Sequence, residues 1–413
     1  MNSTSKIIAL SSAVAFALQI ALALLMLRYF SPEEVGMFSV ISQIGFFWTT
    51  LALAQTPLRL LANHGASVFD DARHAWVSSL QRFVWLSPFA ALAIWWSDLS
   101  FVNALLWALL LSLCQLTWML AQSMRLRMVG IWAQAGVRVL PPLMALLVAV
   151  AAVFMQWSGP ALLAAALLGY AVGAAWLLPS LLAYWQAKFV NVSTEPLSPA
   201  LEDPSHLAIS SVSGDNRSAA LRMAHTLADA LLATAIVVVW QRMYGAQETG
   251  WMAAPLRVMG FVPAVVHMAW AQVLLAQSQH ARTNPLFVGF AGFASVALLG
   301  AGCAVALEFG WLGEQWQGVW PYLLTLVIWQ GSSCVAAAFS HLPFENHKAG
   351  QYSWACIAVA GVQGCVLLLP TLHIYTTTAQ MHLLIYGVVS AFALIALTFY
   401  VHRLGRQVQQ AKL

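Results

Sequence analysis

The sequence predicts an all-α polytopic membrane protein of about twelve transmembrane helices, arranged as two six-helix bundles related by a parallel repeat. Three observations predict it. The chain is 61% hydrophobic and 8% charged, where a soluble domain carries about 25% charged residues, and so large an apolar excess needs lipid as its solvent. The apolar residues fall in runs of about 20, the length of a spanning helix, and the runs are too long and too unbroken for barrel strands. Finally, the stretch Arg28 to Phe38 (RYFSPEEVGMF) has an echo at Arg242 to Met252 (RMYGAQETGWM), at a constant offset of 214.

In that register Arg28 matches Arg242, Glu34 matches Glu248 and Gly36 matches Gly250. Phe30 faces Tyr244, and Ser31 faces Gly245. Each copy joins the end of one apolar run to the start of the next. A repeat at this spacing makes the chain two similar halves.

The runs of the first half lie near 7–28, 36–57, 76–97, 100–121, 131–155 and 160–185. Those of the second lie near 219–242, 250–275, 286–308, 318–340, 351–371 and 380–401. The expected division is an N-terminal bundle at 1–185, a linker at 186–218 and a C-terminal bundle at 219–413. The linker is the longest polar stretch and is rich in Ser and Pro (Pro196, Pro199, Pro204), which predicts a flexible connection. The first run follows a single lysine and has no small-residue cleavage site, so it reads as an uncleaved span.

Basic residues set the orientation. With the N-terminus inside, Lys6, Arg73, Arg125, Arg127, Lys188, Arg282, Lys348 and Arg403 all fall at cytoplasmic ends. The outer ends hold Arg28 and Arg242 beside the acids Glu34, Asp98, Glu248 and Glu314. The positive-inside rule then places both termini in the cytoplasm. Each half has an even number of spans, so the halves share an orientation and are expected to be related by an axis along the membrane normal.

Several function classes are excluded. A net charge of +4 without a basic stripe gives no nucleic-acid surface. The five cysteines sit inside apolar runs without metal-ligand spacing and read as small packing residues. There is no GxxxxGK[ST] phosphate loop, no HExxH and no GxSxG, so neither ATP hydrolysis nor a metal or other cofactor is expected. Gly169 and Gly173 form a GxxxG helix-packing signal.

The chemistry that remains lies within the spans, where ionisable groups are costly. Asp229 lies ten residues into the seventh run, about 15 Å deep and near the midplane. Arg257 lies seven residues into the eighth, about 10 Å from the outer surface, which places the two at similar depth and predicts an ion pair. A purely structural pair that only fixes helix packing is the competing reading. His225 and Arg222 precede Asp229 at spacings of four and seven and share its helix face. The first half lacks this stripe: the matching positions are Ala15, Ser11, Ile8 and, for Arg257, Gln43. Arg138 is followed by Pro141 and Pro142, and Arg257 is bracketed by Pro255 and Pro263. Proline bends helices and is tolerated where they line a cavity. The expected cleft is therefore lined by Arg257, Arg138 and Arg222 with Gln43 and Trp48, and it suits an anionic ligand such as a diphosphate. Asp229 with His225 is the expected ion-coupling pair. Snorkelling competes for Arg138, and core packing for Trp48, Trp118, Trp270 and Trp329.

The motif SPEEVGMFSV at 31–40, after a first span ending LLMLRYF, with its weaker copy at 242–252, resembles the polysaccharide flippases of O-antigen and capsule assembly, the Wzx type. These belong to the superfamily that also holds the MATE drug exporters and the lipid II flippases. The resemblance implies a V-shaped pair of bundles with a central cavity and alternating access. It implies a polyprenyl-diphosphate-linked oligosaccharide moved from the cytoplasmic to the periplasmic leaflet of the bacterial inner membrane. It also implies membrane lipids as surroundings, H+ or Na+ as a coupling ion, and a polysaccharide polymerase and chain-length proteins as partners. The alternatives are an ion-coupled drug exporter of the MATE type, which favours acidic cavity residues in the first half, and a membrane glycosyltransferase or polymerase, which needs a charged outer loop.

Overall fold

The computed structural model describes residues 3–54, 56–62, 68–128, 131–157, 159–177, 216–267, 284–345, 348–372 and 377–410. Among these the secondary structure is helix and turn, with no strand. The first half contributes α1 (Ser3–Tyr29), α2 (Pro32–Leu53), the short α3 (Thr56–Ala62), α4 (Val68–Trp96), α5 (Phe101–Arg127), α6 (Ile131–Phe154) and α7 (Ala161–Ala175). The second contributes α8 (Asn216–Val265), α9 (Pro285–Glu308), α10 (Trp320–Phe339), the short α11 (Leu342–Glu345), α12 (Ala349–Leu368) and α13 (Ala379–Gln410).

Ten of these helices are long and apolar enough to cross a membrane, so the chain is a multi-pass membrane protein. α8 holds two of the expected spans, because its 50 residues are broken at Gly245, where φ is 84° and ψ 179°. α7 occupies the start of the sixth run, and the rest of that run, beyond residue 177, lies outside the described residues, as does the linker as far as residue 215. Counted this way, a helix stands in each of the twelve expected runs. Asp70 and Asp71 lie in the first turn of α4, where a carboxylate complements the helix dipole, and Asp71 binds Arg127 at 2.7 Å.

The two copies of the repeated stretch make the same turn by different chemistry. In the first, Ser31 caps α2: its hydroxyl accepts from the Glu34 N–H at 3.2 Å, and the Glu34 carboxylate accepts from the Ser31 N–H at 2.9 Å. Pro32 follows at the first helical position, where its missing N–H costs nothing. In the second copy Gly245 adopts a positive φ that its lack of Cβ permits. The Thr249 hydroxyl donates to the Gly245 carbonyl at 2.7 Å. Glu248, with no capping task, accepts a hydrogen bond from the Tyr322 hydroxyl on α10.

α2 and α8 form the most extensive helix contact in the molecule and join the halves. The contact is reciprocal. A Cβ on Gly36 would collide with the Ala246 carbonyl, and one on Gly250 would collide with the Pro32 carbonyl. Small residues are what let two backbones come this close. At the same end each repeated arginine reaches into the other half. Arg28 donates to the Trp311 carbonyl at 2.5 Å, and Arg242 lies 3.4 Å from the Asp98 carboxylate. The Phe30 carbonyl, left over at the end of α1, accepts from the Gln315 amide at 3.1 Å and the Trp316 indole at 3.2 Å. Arg28 and Arg242 thus stitch the two halves together at one end of the α2–α8 contact.

Within the first half, Gly169 and Gly173 let α7 lie close to its neighbours. A Cβ on Gly169 would sit 2.7 Å from the Pro141 carbonyl, and one on Gly173 would strike the Trp118 ring.

Candidate substrate cavity

Beyond the stitched end, the cleft between α2 and the second limb of α8 opens into two lobes. The first, of about 410 Å³, is enclosed mainly by α1, α2, α5, α6 and α7. The second, of about 550 Å³, lies between α2, α8 and α10. Gln43, Phe46, Arg257 and Phe261 line both lobes and form the wall they share. Both volumes fall in the range of small-molecule sites, about 300–1,000 Å³.

Arg257 is held from α2. Its guanidinium donates to the Ser42 hydroxyl at 3.1 Å and sits 4.7 Å from the centroid of the Phe38 ring, a cation–π geometry. Among the described residues no carboxylate lies within ion-pair distance of it. It is also the one charged side chain among the residues lining either lobe. Below it, Phe261 meets Phe16 of α1 edge to face at 5.2 Å, so α1 and α8 touch across the first lobe.

Neither the protein-family models nor the curated proteins match this sequence. Solved structures do. One is the lipid II flippase MurJ in an inward closed conformation, with a TM-score of 0.60 and 10% identity over 98% of this chain and 90% of that one. Another is an inward-facing multidrug resistance MATE family transporter of the MOP superfamily, with a TM-score of 0.50 and 10% identity over 100% and 97%. The chain shares the fold of these two transporters.

Within this fold the residues singled out from sequence take different places. Arg257 and Gln43 line the cleft together. Arg138 does not: its guanidinium is tied to the Ser12 hydroxyl of α1 at 2.9 Å, and its neighbours Pro141 and Pro142 reach the first lobe instead. Trp48 does not either. It is 2% exposed, stacked on Phe83 at 4.1 Å and donating its indole N–H to the Phe83 carbonyl, so it locks α2 to α4. Trp118 and Trp329 line the first and second lobes, and Trp270 lies outside the described residues.

The expected Asp229–Arg257 ion pair is not formed. Asp229 bonds His225 at 3.0 Å one turn away, and its carboxylate is 61% exposed. His225 in turn meets the Tyr352 ring of α12 edge to face at 5.7 Å. The shared depth of the two residues is not enough, because the break at Gly245 lets the limbs of α8 present different neighbours: α12 to His225 and α2 to Arg257. The Arg222 side chain lies outside the described residues. The polar lining residues that escaped the sequence reading are Gln19, Ser42, Gln115 and Tyr170 in the first lobe and Ser39 and Gln330 in the second. The signal was present as isolated amides, hydroxyls and a phenol within apolar runs.

Proposed function

We propose that this protein is a flippase that carries a polyprenyl-diphosphate-linked oligosaccharide from the cytoplasmic to the periplasmic leaflet of a bacterial inner membrane, as a step in surface polysaccharide assembly. The observation that carries the reading is Arg257, a cation without a carboxylate partner among the described residues, facing the cleft between the halves. A guanidinium away from bulk water attracts an anion strongly and can hold a phosphate through two parallel hydrogen bonds. A cationic drug meets repulsion at the same place. The solved structure titled a lipid II flippase supports a lipid-linked cargo in this fold.

The contacts support a route for transport. The glycine contact and the two arginines tie the halves at the end that the charge pattern assigns to the periplasm, and the proposed entry for cargo is the other side. Arg257 binds the diphosphate, and the halves rock about the α2–α8 contact to expose it outward. Without an ATP site, turnover draws on a H+ or Na+ gradient or on consumption of the flipped product by the polymerase and chain-length machinery. Asp229, paired with His225, is the residue proposed to take up the coupling ion. An Asp229→Asn variant that kept full rate and full pH dependence would remove it from that role.

The deciding experiment places purified protein in liposomes loaded with a polyprenyl-diphosphate oligosaccharide and follows leaflet accessibility to a sugar-modifying probe. Accelerated movement that Arg257→Ala abolishes supports the proposal. No acceleration, beside ion-driven efflux of a small organic cation from the same vesicles, replaces it with a MATE-type exporter.

A further inference from the structure

We propose that the first lobe is a pocket for a neutral sugar, the residue attached directly to the phosphate that Arg257 holds. This rests on the flippase reading and narrows its substrate class. The carrying observation is Gln115 of α5, which is 8% exposed, lines the lobe and makes no hydrogen bond with any described residue. Gln19 of α1, Gln43 of α2 and the Tyr170 hydroxyl of α7, on partly buried residues, line it too and make no hydrogen bond with any described residue. Amides in protein interiors are as a rule hydrogen-bonded, so one that opens on a cavity without a protein partner is available to a ligand. Amides that merely glue membrane helices bond across the helix contact, and these face the cavity instead.

Their chemistry specifies the ligand. An amide offers two donors and an acceptor, and a phenol one of each. Sugar hydroxyls are donors and acceptors at once, so three amides and a phenol on four helices match a ring carrying hydroxyls around its edge. The rings of Trp118 and Tyr170, stacked at 5.4 Å with Trp118 fixed by its bond to the Val137 carbonyl, supply an apolar wall for the C–H face. With Arg257 engaged by phosphate, no second cation lines the lobe to receive a carboxylate. The pocket therefore takes a neutral hexose or N-acetylhexosamine and disfavours a uronic acid. The second lobe is walled largely by Ala233, Ile236, Val237 and Leu256; its uncharged polar groups are Ser39, Gln43 and Gln330 beside the Trp329 indole, without the amide set on four helices that surrounds the first.

The test measures binding to the full-length protein in nanodiscs of three probes: bare polyprenyl diphosphate, the same lipid bearing one N-acetylhexosamine, and the same lipid bearing one hexuronic acid. The neutral glycolipid should bind the wild type about tenfold more tightly than either other probe. Gln115→Leu, and separately Gln19→Leu, should erase most of that advantage while leaving affinity for the bare lipid unchanged, which also reports that each variant is folded. Equal wild-type affinity for all three probes overturns the sugar pocket and leaves the flippase reading standing. So does a loss in the variants that is uniform across probes. If the wild type binds none of them, the flippase reading itself falls.

Discussion

Gly36 and Gly250 each rest on the turn after the first span of the other half: Gly36 against the Ala246 carbonyl, Gly250 against that of Pro32. In the 214-residue register Ala246 is the counterpart of Pro32, so the two contacts are one contact made twice. This is the isologous geometry of a twofold interface, realised within a single chain.

Any side chain at either glycine must push the halves apart at that end. Gly36→Leu and Gly250→Leu are expected to lower transport by at least about tenfold and to lower the thermal midpoint by similar amounts. Gly361→Ala, where a Cβ meets nothing within 4 Å, should change neither. A thermal-shift and vesicle-flipping comparison of the three variants checks this, and unequal behaviour of the two interface glycines would count against the twofold reading.

The repeated arginines are equivalent in position and not in strength. Arg28 makes a charge-assisted bond to a carbonyl, whereas the Arg242–Asp98 pair is 45% and 78% exposed and separated by 3.4 Å. Arg28→Ala should cost about 1 kcal/mol of stability and Arg242→Ala less than about 0.5 kcal/mol. Denaturation of the two variants in one detergent, at low and high salt, reads the difference.

On the proposed diphosphate reading charge alone is not enough at Arg257, because a two-pronged grip needs the planar fork. Arg257→Lys should retain binding of the diphosphate lipid at about one-tenth of wild-type affinity, and Arg257→Gln should abolish it. Equal affinity of the lysine variant and the wild type would mean that the cation acts as a point charge.

Trp48 supplies a contrast. Trp48→Ala should destabilise by about 3 kcal/mol through the void left against Phe83, yet leave the affinity of the surviving folded protein for lipid unchanged. A binding isotherm corrected for folded fraction separates the two effects.

The spans were legible because the bilayer imposes a length and a composition that few other constraints disturb. The repeat was legible because Gly36 and Gly250 serve a contact that admits no side chain. Arg257 could be found from its charge, since a guanidinium within an apolar run is costly wherever it points. Its partner could not. Sequence gives depth along a helix through the rise per residue, but the direction a side chain faces depends on which helices pack around it. That missing direction paired Asp229 with Arg257, where the fold gives His225 and Ser42. It also placed Trp48 in the cavity and left out Gln19 and Gln115, whose amides carry no charge to mark them.

The self-matching surface at Gly36 and Gly250 has a mechanical consequence. A patch that fits its own copy holds both sides by the same contact, so neither half is the fixed frame against which the other turns. What distinguishes the halves lies away from that seam, where an arginine at 257 stands in the register opposite the glutamine at 43 and makes the two sides of the cleft unlike.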